Sequence, residues 1–327
     1  MPRMRILMIG GTLFIGRAIV QRLAACGHEI TVLHRRDSHD LGPDVRNIQA
    51  DRSDLNAVSR VLREGRFDAV FDLAYDWQKG TTADQVEGAA RSCGEGLRRY
   101  VFMSSVAAYG PGLDHREPAP LVPDDHPNPY AQRKASSERV LFRMHAESGF
   151  PVTTFRPPFV HGPGQPFYRE QFFWDRFRDG RPIVLPDDGS APMQWVFVSD
   201  LAEACARALE VPAAAGEAFN IAHREPLTQR SFVEALARVA GVVPTFATIP
   251  RVTIRAAGGH PFAGNLYFGE FLDIPTHTSR IEKAPRVLGV TPSGLEAALA
   301  ASFAWYETQP RRPVDYTFED RLLAAST

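Results

Sequence analysis

Lysine, cysteine, net charge and long apolar runs are all scarce in this chain. Lys79, Lys134 and Lys283 are its only lysines, against 37 lysine and arginine residues in all. That imbalance reads as a base-composition bias of the genome, and it makes each lysine position worth a question. Cys26, Cys93 and Cys205 are odd in number and far apart. They supply neither a metal-ligand spacing nor a disulfide framework, so no metal is expected and a reducing cytoplasm suits them. The formal charge of −1 leaves no electrostatic footprint for nucleic acid or an anionic membrane. No apolar run approaches the roughly 20 residues of a membrane span, and Met1 leads into a short apolar strand without a leader pattern. No repeat, low-complexity tract or flexible linker is evident. The expectation is a cytoplasmic globular protein that takes a small molecule as its partner, with no nucleic acid and no membrane.

What is there is a large apolar fraction, 44% of 327 residues, enough for a sizeable core and about two domains or sub-domains. "RILMIG", "HEITVLH", "VRNIQAD", "FDAVFDLA", "RYVFMSS", "PVTTFRP" and "GEAFNIA" read as strands, with helical stretches between several of them. Continuous apolar strands separated by helices predict an α/β fold with a doubly wound parallel sheet covered on both faces. After Arg156 the chain turns rich in Pro, Gly and aromatics, as loops that build a pocket would be. Residues from about 224 onward read as a smaller, mostly α unit.

"IGGTLFIGRAIV" places a glycine turn between the first strand and the first helix. In such sheets ligands bind outside the carboxyl ends of the strands, and the first turn is the usual phosphate site. Gly10 and Gly11 free the backbone and Gly16 lets the helix approach the sheet, but Leu13 stands where a middle glycine is usual. Glycine-rich corners without a ligand are also common, so other features must decide. One is "TVLHRR", which ends the second strand in His34, Arg35 and Arg36. An acidic residue there would hold a ribose 2′-hydroxyl, whereas arginine pairs with a 2′-phosphate, so NADP is favoured over NAD.

"NPYAQRKASSE" sets Tyr130 and Lys134 one helical turn apart on one face. "YVFMSSVAAYG" ends a strand with Ser104 and Ser105. Each element alone has a plain reading, the Tyr-x-x-x-Lys spacing as a chance match and the strand-end serine as a turn former or helix cap. Together they form a proton-transfer set. A free phenol has a pKa near 10, and a neighbouring ammonium favours the phenolate. Tyr130 would then exchange a proton with a secondary alcohol or ketone while Ser105 steadies the same oxygen.

With these residues in place the sequence resembles the extended short-chain dehydrogenase/reductase family, the NAD-dependent epimerases and dehydratases, over nearly its whole length. The resemblance implies a Rossmann-type fold. The turn looks most like a sub-group written G-G-T-x-F-[IL]-G, which leaves the position of Leu13 variable. The implied catalytic residues are Ser105, Tyr130 and Lys134. The implied cofactor-binding residues are the turn Gly10, Gly11, Thr12, Leu13, Phe14, Ile15 and Gly16, then His34, Arg35, Arg36, Asp51, Arg52, Leu73, Ala74, Ser104, Tyr130, Lys134 and Pro157. Asp51 and Arg52 fall beside the adenine, Leu73 and Ala74 under its ribose, and Pro157 near the nicotinamide amide.

Candidate substrate residues are Tyr75, Ser105, Tyr109 and His161. Trp77 reads as a packing residue, and His115 and His126 as solvent-facing loop positions. The expected division is a dinucleotide-binding domain over 1–156 with 194–222, and a substrate-binding part over 157–193 with 223–327. Val106 and Ala107, in place of acidic residues after Ser105, argue against elimination chemistry. Met193 and Gln194 stand where nucleotide-sugar members carry Arg-Asp, so that diphosphate handle does not carry over. The resemblance favours an epimerase acting by transient oxidation, most plausibly on a sugar. Arg35 and Arg36 favour an NADPH-dependent reductase. A binding protein that has kept the fold, as plastid RNA-binding relatives of the sub-group have, is the reading from another class. Family habit implies a homodimer, and pocket loops are expected near 75–80, 159–195 and 255–280.

Overall fold

The structure is a computed structural model that describes residues 2–259 and 277–325. All seven strands read from the sequence are present: β1 (Arg5–Ile9), β2 (Glu29–His34), β3 (Arg46–Gln49), β4 (Ala69–Asp72), β5 (Arg99–Met103), β6 (Val152–Arg156) and β7 (Glu217–Asn220). They form one sheet in the order β7-β6-β5-β4-β1-β2-β3. Every pairing in it is parallel. The order reverses beside β1, where Ile9 has Leu33 on one side and Asp72 on the other. A crevice at the carboxyl ends of the strands follows from that reversal.

Alternation along β1 explains the two-sided cover. Ile6 and Met8 join a core with Ile19, Leu23, Phe155, Leu201 and Cys205, under α1 (Phe14–Ala25) and a later helix, Val198–Glu210. Leu7 and Ile9 join the opposite core with Val58, Leu62, Val86, Leu141 and Met144. That face is covered by α2 (Leu55–Gly65), α3 (Ala83–Arg91) and α4 (Pro129–Ser148). Each fully buried aliphatic side chain contributes about 1.5–3 kcal/mol. Two buried ion pairs lie beneath the carboxyl ends of the strands. Arg52 grips Asp72 through Nε and Nη2 at 3.1 and 2.6 Å, and the Tyr100 hydroxyl donates to the same carboxylate at 2.8 Å. Arg156 grips both oxygens of Glu138.

The stretch after Arg156 departs from the expected loops. Much of it forms short strands, with Trp195–Phe197 parallel to Phe159–His161 and Ile183–Pro186 parallel to Phe246–Ile249. Its aromatics are largely core. Phe172, Phe173, Trp174 and Trp195 pack with Phe232, Leu236 and Leu299, and Trp195 stacks on Phe232 at 3.8 Å between ring centres. Arg176, in α5 (Glu170–Arg178), pairs with Glu319 and ties the last described helix into this core. Among the described residues no helix is long and apolar enough to cross a membrane.

Candidate active site

The glycine turn resolves the question raised by Leu13. Gly10 has φ +89°, and its amide donates to the Leu33 carbonyl at 2.9 Å. At Gly16 a Cβ would lie 2.5 Å from the Gly11 Cα, so only glycine lets the helix approach the turn this closely. Leu13 has ordinary extended backbone as the residue before α1. Its side chain is 63% exposed, turned to solvent rather than into the turn. No side chain caps α1 and its first turn carries no acid, which leaves amide donors and the positive end of the helix dipole for an anion.

A cleft of about 110 Å³ opens beside this turn, with Gly10, His34, Arg35, Asp51, Ala74 and Tyr75 among its walls. Arg35 is exposed at the cleft, while Arg36, also exposed, is not among the lining residues. His34 shares a 2.7 Å hydrogen bond with Asn47. Asp51 accepts from the Ser53 amide and hydroxyl, which holds its carboxyl below the usual range. Leu73 and Ala74 lie at the end of β4, their amides donating to the Ile9 carbonyl. Positive-φ glycines, an uncapped helix start and an arginine on the cleft wall fit a dinucleotide with its phosphates at the turn. Arg52 also lines the cleft, while its guanidinium is turned under it onto Asp72 and the Gln85 carbonyl.

Asn128 sets the start of α4. Its side-chain oxygen accepts from the Tyr130 and Ala131 amides at 3.0 and 3.2 Å, with Pro129 in the first turn. Tyr130 thereby stands at the helix entrance, with Lys134 one turn further in. Ser105 follows β5 and accepts from the Ala107 amide at 3.2 Å, leaving its hydroxyl proton free to donate. Burial pushes the Tyr130 phenol up to about 12, opposed by a hydrogen bond with the Ser105 hydroxyl and by the charge of Arg169. Lys134 is not among the groups that shift the phenol in the chain without coenzyme. Lys134 is buried and donates to the Met103 carbonyl at 2.6 Å, with its ammonium 5.9 Å from the centre of the Tyr130 ring. Burial pulls its own pKa down to about 8 against the pull of Asp72 and Glu138.

Several other candidates occupy different places. Ser104 is buried and donates to Glu138, so its hydroxyl serves the ion pair under the sheet rather than a cofactor. Tyr109 is buried too. Its hydroxyl donates to Asn220 at 2.8 Å and accepts from Arg156 at 2.7 Å, which removes it from the substrate surface. His161 is fully buried, its Nε2 2.8 Å from His223 Nε2 and its Nδ1 3.3 Å from the Ser302 hydroxyl. Burial lowers its pKa strongly. It is a structural histidine. His115 does not face solvent; it stacks on Tyr109 at 4.6 Å with planes 3° apart. His126 is half-buried and its ring accepts from the Asn128 amide. Pro157 is buried, and its carbonyl accepts from the Val106 amide at 3.2 Å. Gln194 is buried and bonded to His223 and Ser279.

Trp77 is the reverse case. It is 70% exposed, not core, and stacks on Tyr130, while Tyr75 meets both rings edge-on. Arg169 was invisible to pattern reading, because a single arginine in "PFYREQFF" has no informative spacing. Of the expected pocket loop 255–280, residues 260–276 lie outside the described residues.

This arrangement agrees with a comparison of sequences. The model of the NAD dependent epimerase/dehydratase family matches residues 6–222. The chain belongs to that family. It is an enzyme of the extended short-chain dehydrogenase/reductase type, with the Rossmann fold read from its sequence. It is similar to the chloroplast stem-loop binding protein of 41 kDa b of Arabidopsis thaliana, 26% identical over 98% of this chain and 84% of that protein. The 2-alkyl-3-oxoalkanoate reductase of Stenotrophomonas maltophilia is 28% identical over 73% of this chain and 76% of that one. In fold it resembles the UDP-glucuronic acid 4-epimerase of Bacillus cereus, solved with UDP-glucuronic acid and NAD. The TM-score is 0.74 at 20% identity, over 93% of this chain and 99% of that one.

Proposed function

We propose that this family member reduces a ketone to a secondary alcohol with NADPH, using Ser105, Tyr130 and Lys134. The observation that carries the reading is Tyr130 at the entrance of α4 with Lys134 one turn further in, and Ser105 just past the carboxyl end of β5 with its hydroxyl proton free to donate. A phenol pushed up to about 12 is protonated at neutral pH, which suits a proton donor. Bound nicotinamide supplies the hydride. As the carbonyl oxygen gains charge, Tyr130 donates its proton and Ser105 donates a hydrogen bond to the same oxygen. Lys134, as ammonium, would steady the phenolate left behind once coenzyme is bound, and would reach the nicotinamide ribose. Arg35 would hold the 2′-phosphate. Residues 157–193 with 223–327 would carry the substrate-binding part, and 1–156 with 194–222 the dinucleotide.

The family model supports a second reading, epimerisation by transient oxidation. Two features weigh against it here: Arg35 at the cleft, and Gln194 committed to Ser279 where a diphosphate handle would stand. The test is the state of the coenzyme. Steady NADPH oxidation with a ketone supports reduction. Tightly bound coenzyme and turnover with none added supports epimerisation. The similarity to a stem-loop binding protein supports a third reading, RNA binding, which salt-sensitive retention of single-stranded RNA on filters would favour. The assembly proposed is a homodimer, checked by sedimentation.

A further inference from the structure

Among the described residues, no carboxylate makes an ion pair or hydrogen bond with the guanidinium of Arg169. Its guanidinium lies 5.1 Å from the ring centres of both Phe159 and Phe167, and its Nε is buried without a hydrogen-bond partner. Its backbone is fixed by bonds to the Phe167 carbonyl and the Gln171 side chain. Of the four buried arginines among the described residues, Arg52, Arg156 and Arg176 each grip a carboxylate, whereas the guanidinium of Arg99 is held by the Thr153 hydroxyl and the Val211 carbonyl. Arg169 grips none among the described residues. The adjacent Glu170 carboxyl feels the charge of Arg169 but makes no hydrogen bond to it, and its Oε1 is buried unpartnered. Leaving a half-buried charge unpaired costs stability unless a partner arrives.

The place is informative. Arg169 rests on Phe159, two residues beyond Pro157, whose carbonyl is bonded to the residue after Ser105. Its charge is felt at the Tyr130 phenol. An exposed aromatic side chain flanks each group: Trp77 lies on Tyr130, and Phe167, 48% exposed, lies on Arg169.

We propose that Arg169 binds an oxyanion of the substrate, so that the ketone reduced at Tyr130 also carries a carboxylate or a phosphoryl group. The planar fork of the guanidinium suits either anion, and the flanking rings suit an apolar segment between or beside the two polar ends. This rests on the reading of Tyr130 as proton donor.

Two measurements separate the two claims. In the first, the full chain oxidises NADPH with 3-oxooctanoate against its methyl ester, and with dihydroxyacetone phosphate against dihydroxyacetone. The wild type is expected to prefer the charged member of one pair by about 10–100-fold in kcat/KM; which pair identifies the anion. Arg169→Gln should erase that preference, mainly through KM, and Arg169→Lys should restore part of it. Equal use of both members in both pairs, or a preference that survives Arg169→Gln, overturns the proposal. The second measurement needs no turnover: titration calorimetry of octanoate and of inorganic phosphate, each into protein saturated with NADP+. At least about tenfold weaker binding of one anion to Arg169→Gln is expected, and equal binding of both overturns the proposal. Loss of all NADPH oxidation with this binding difference intact counts against the reaction, not against Arg169.

Discussion

The indole of Trp77 lies against the phenol ring of Tyr130, their centres 5.3 Å apart and their planes 18° from parallel. Tyr75 closes the group, its ring edge-on to Trp77 at 5.0 Å and to Tyr130 at 4.9 Å. A large aromatic left 70% exposed adds little to the core, so its effect is local. It restricts the ring of Tyr130 and covers one face of it.

Trp77→Ala should therefore act on turnover more than on stability. Losing one stacked pair costs about 1 kcal/mol, which for a chain this long moves Tm by roughly 1–3 °C. The kcat/KM for ketone reduction should fall roughly fivefold or more as the phenol ring loses its support. Thermal melts beside steady-state kinetics check this; a large drop in Tm with unchanged kinetics would make Trp77 a packing residue after all.

The turn makes opposite predictions for two neighbours. Leu13→Gly should leave coenzyme affinity within about twofold and stability no lower, since glycine precedes a helix better than leucine does. Gly16→Ala puts a Cβ 2.5 Å from the Gly11 Cα, and the turn must open. Coenzyme affinity should fall at least about tenfold. Fluorescence titration of both variants with NADP+ checks the pair, and equal affinities would contradict the geometry.

Arg35 and Arg36 are likewise expected to differ. Arg35→Ser should weaken NADP+ binding by about 10–100-fold through lost charge-assisted hydrogen bonds, with NAD+ binding nearly unchanged. Arg36, outside the lining of the cleft, should matter less. An NADP+/NAD+ affinity ratio untouched by Arg35→Ser would remove the case for a 2′-phosphate.

Glu170 gives a pH signature. Burial pushes its carboxyl from 4.5 up to about 7, so between those values the folded chain binds more protons than the unfolded one. Stability contributed by this group is complete below about pH 4.5 and is lost as pH rises through about 7. Glu170→Gln should raise Tm at pH 8, where the loss is of order 3 kcal/mol, and leave it unchanged near pH 4. A Tm difference independent of pH would contradict this.

The sheet was legible because each of its strands is a short apolar run in a regular alternation with helices; "GEAFNIA" was enough to place β7 far from the other six. The Tyr130 and Lys134 spacing was legible for a similar reason, since four residues is one helical turn. What the sequence did not disclose is which way side chains turn where strand ends and loops converge. Tyr109 and His161 carry useful chemistry but are drawn inward by Arg156 and His223, partners 47 and 62 residues away. Arg52 is captured by Asp72 in the same way. Trp77 and Arg169 escaped because each depends on a contact between segments no local pattern connects. Within 159–195 the composition had a second cause: Pro, Gly and aromatics also build a second core, as Trp174 and Trp195 do.

The position of the Tyr130 hydroxyl relative to bound coenzyme tests the central claim most directly. In a crystal structure of the full chain with NADP+, the account predicts phosphates at the Gly10–Gly16 turn, and the nicotinamide ring facing a space shared by the Ser105 and Tyr130 hydroxyls. A nicotinamide ring turned away from Tyr130, or no dinucleotide bound at saturating concentration, would contradict it.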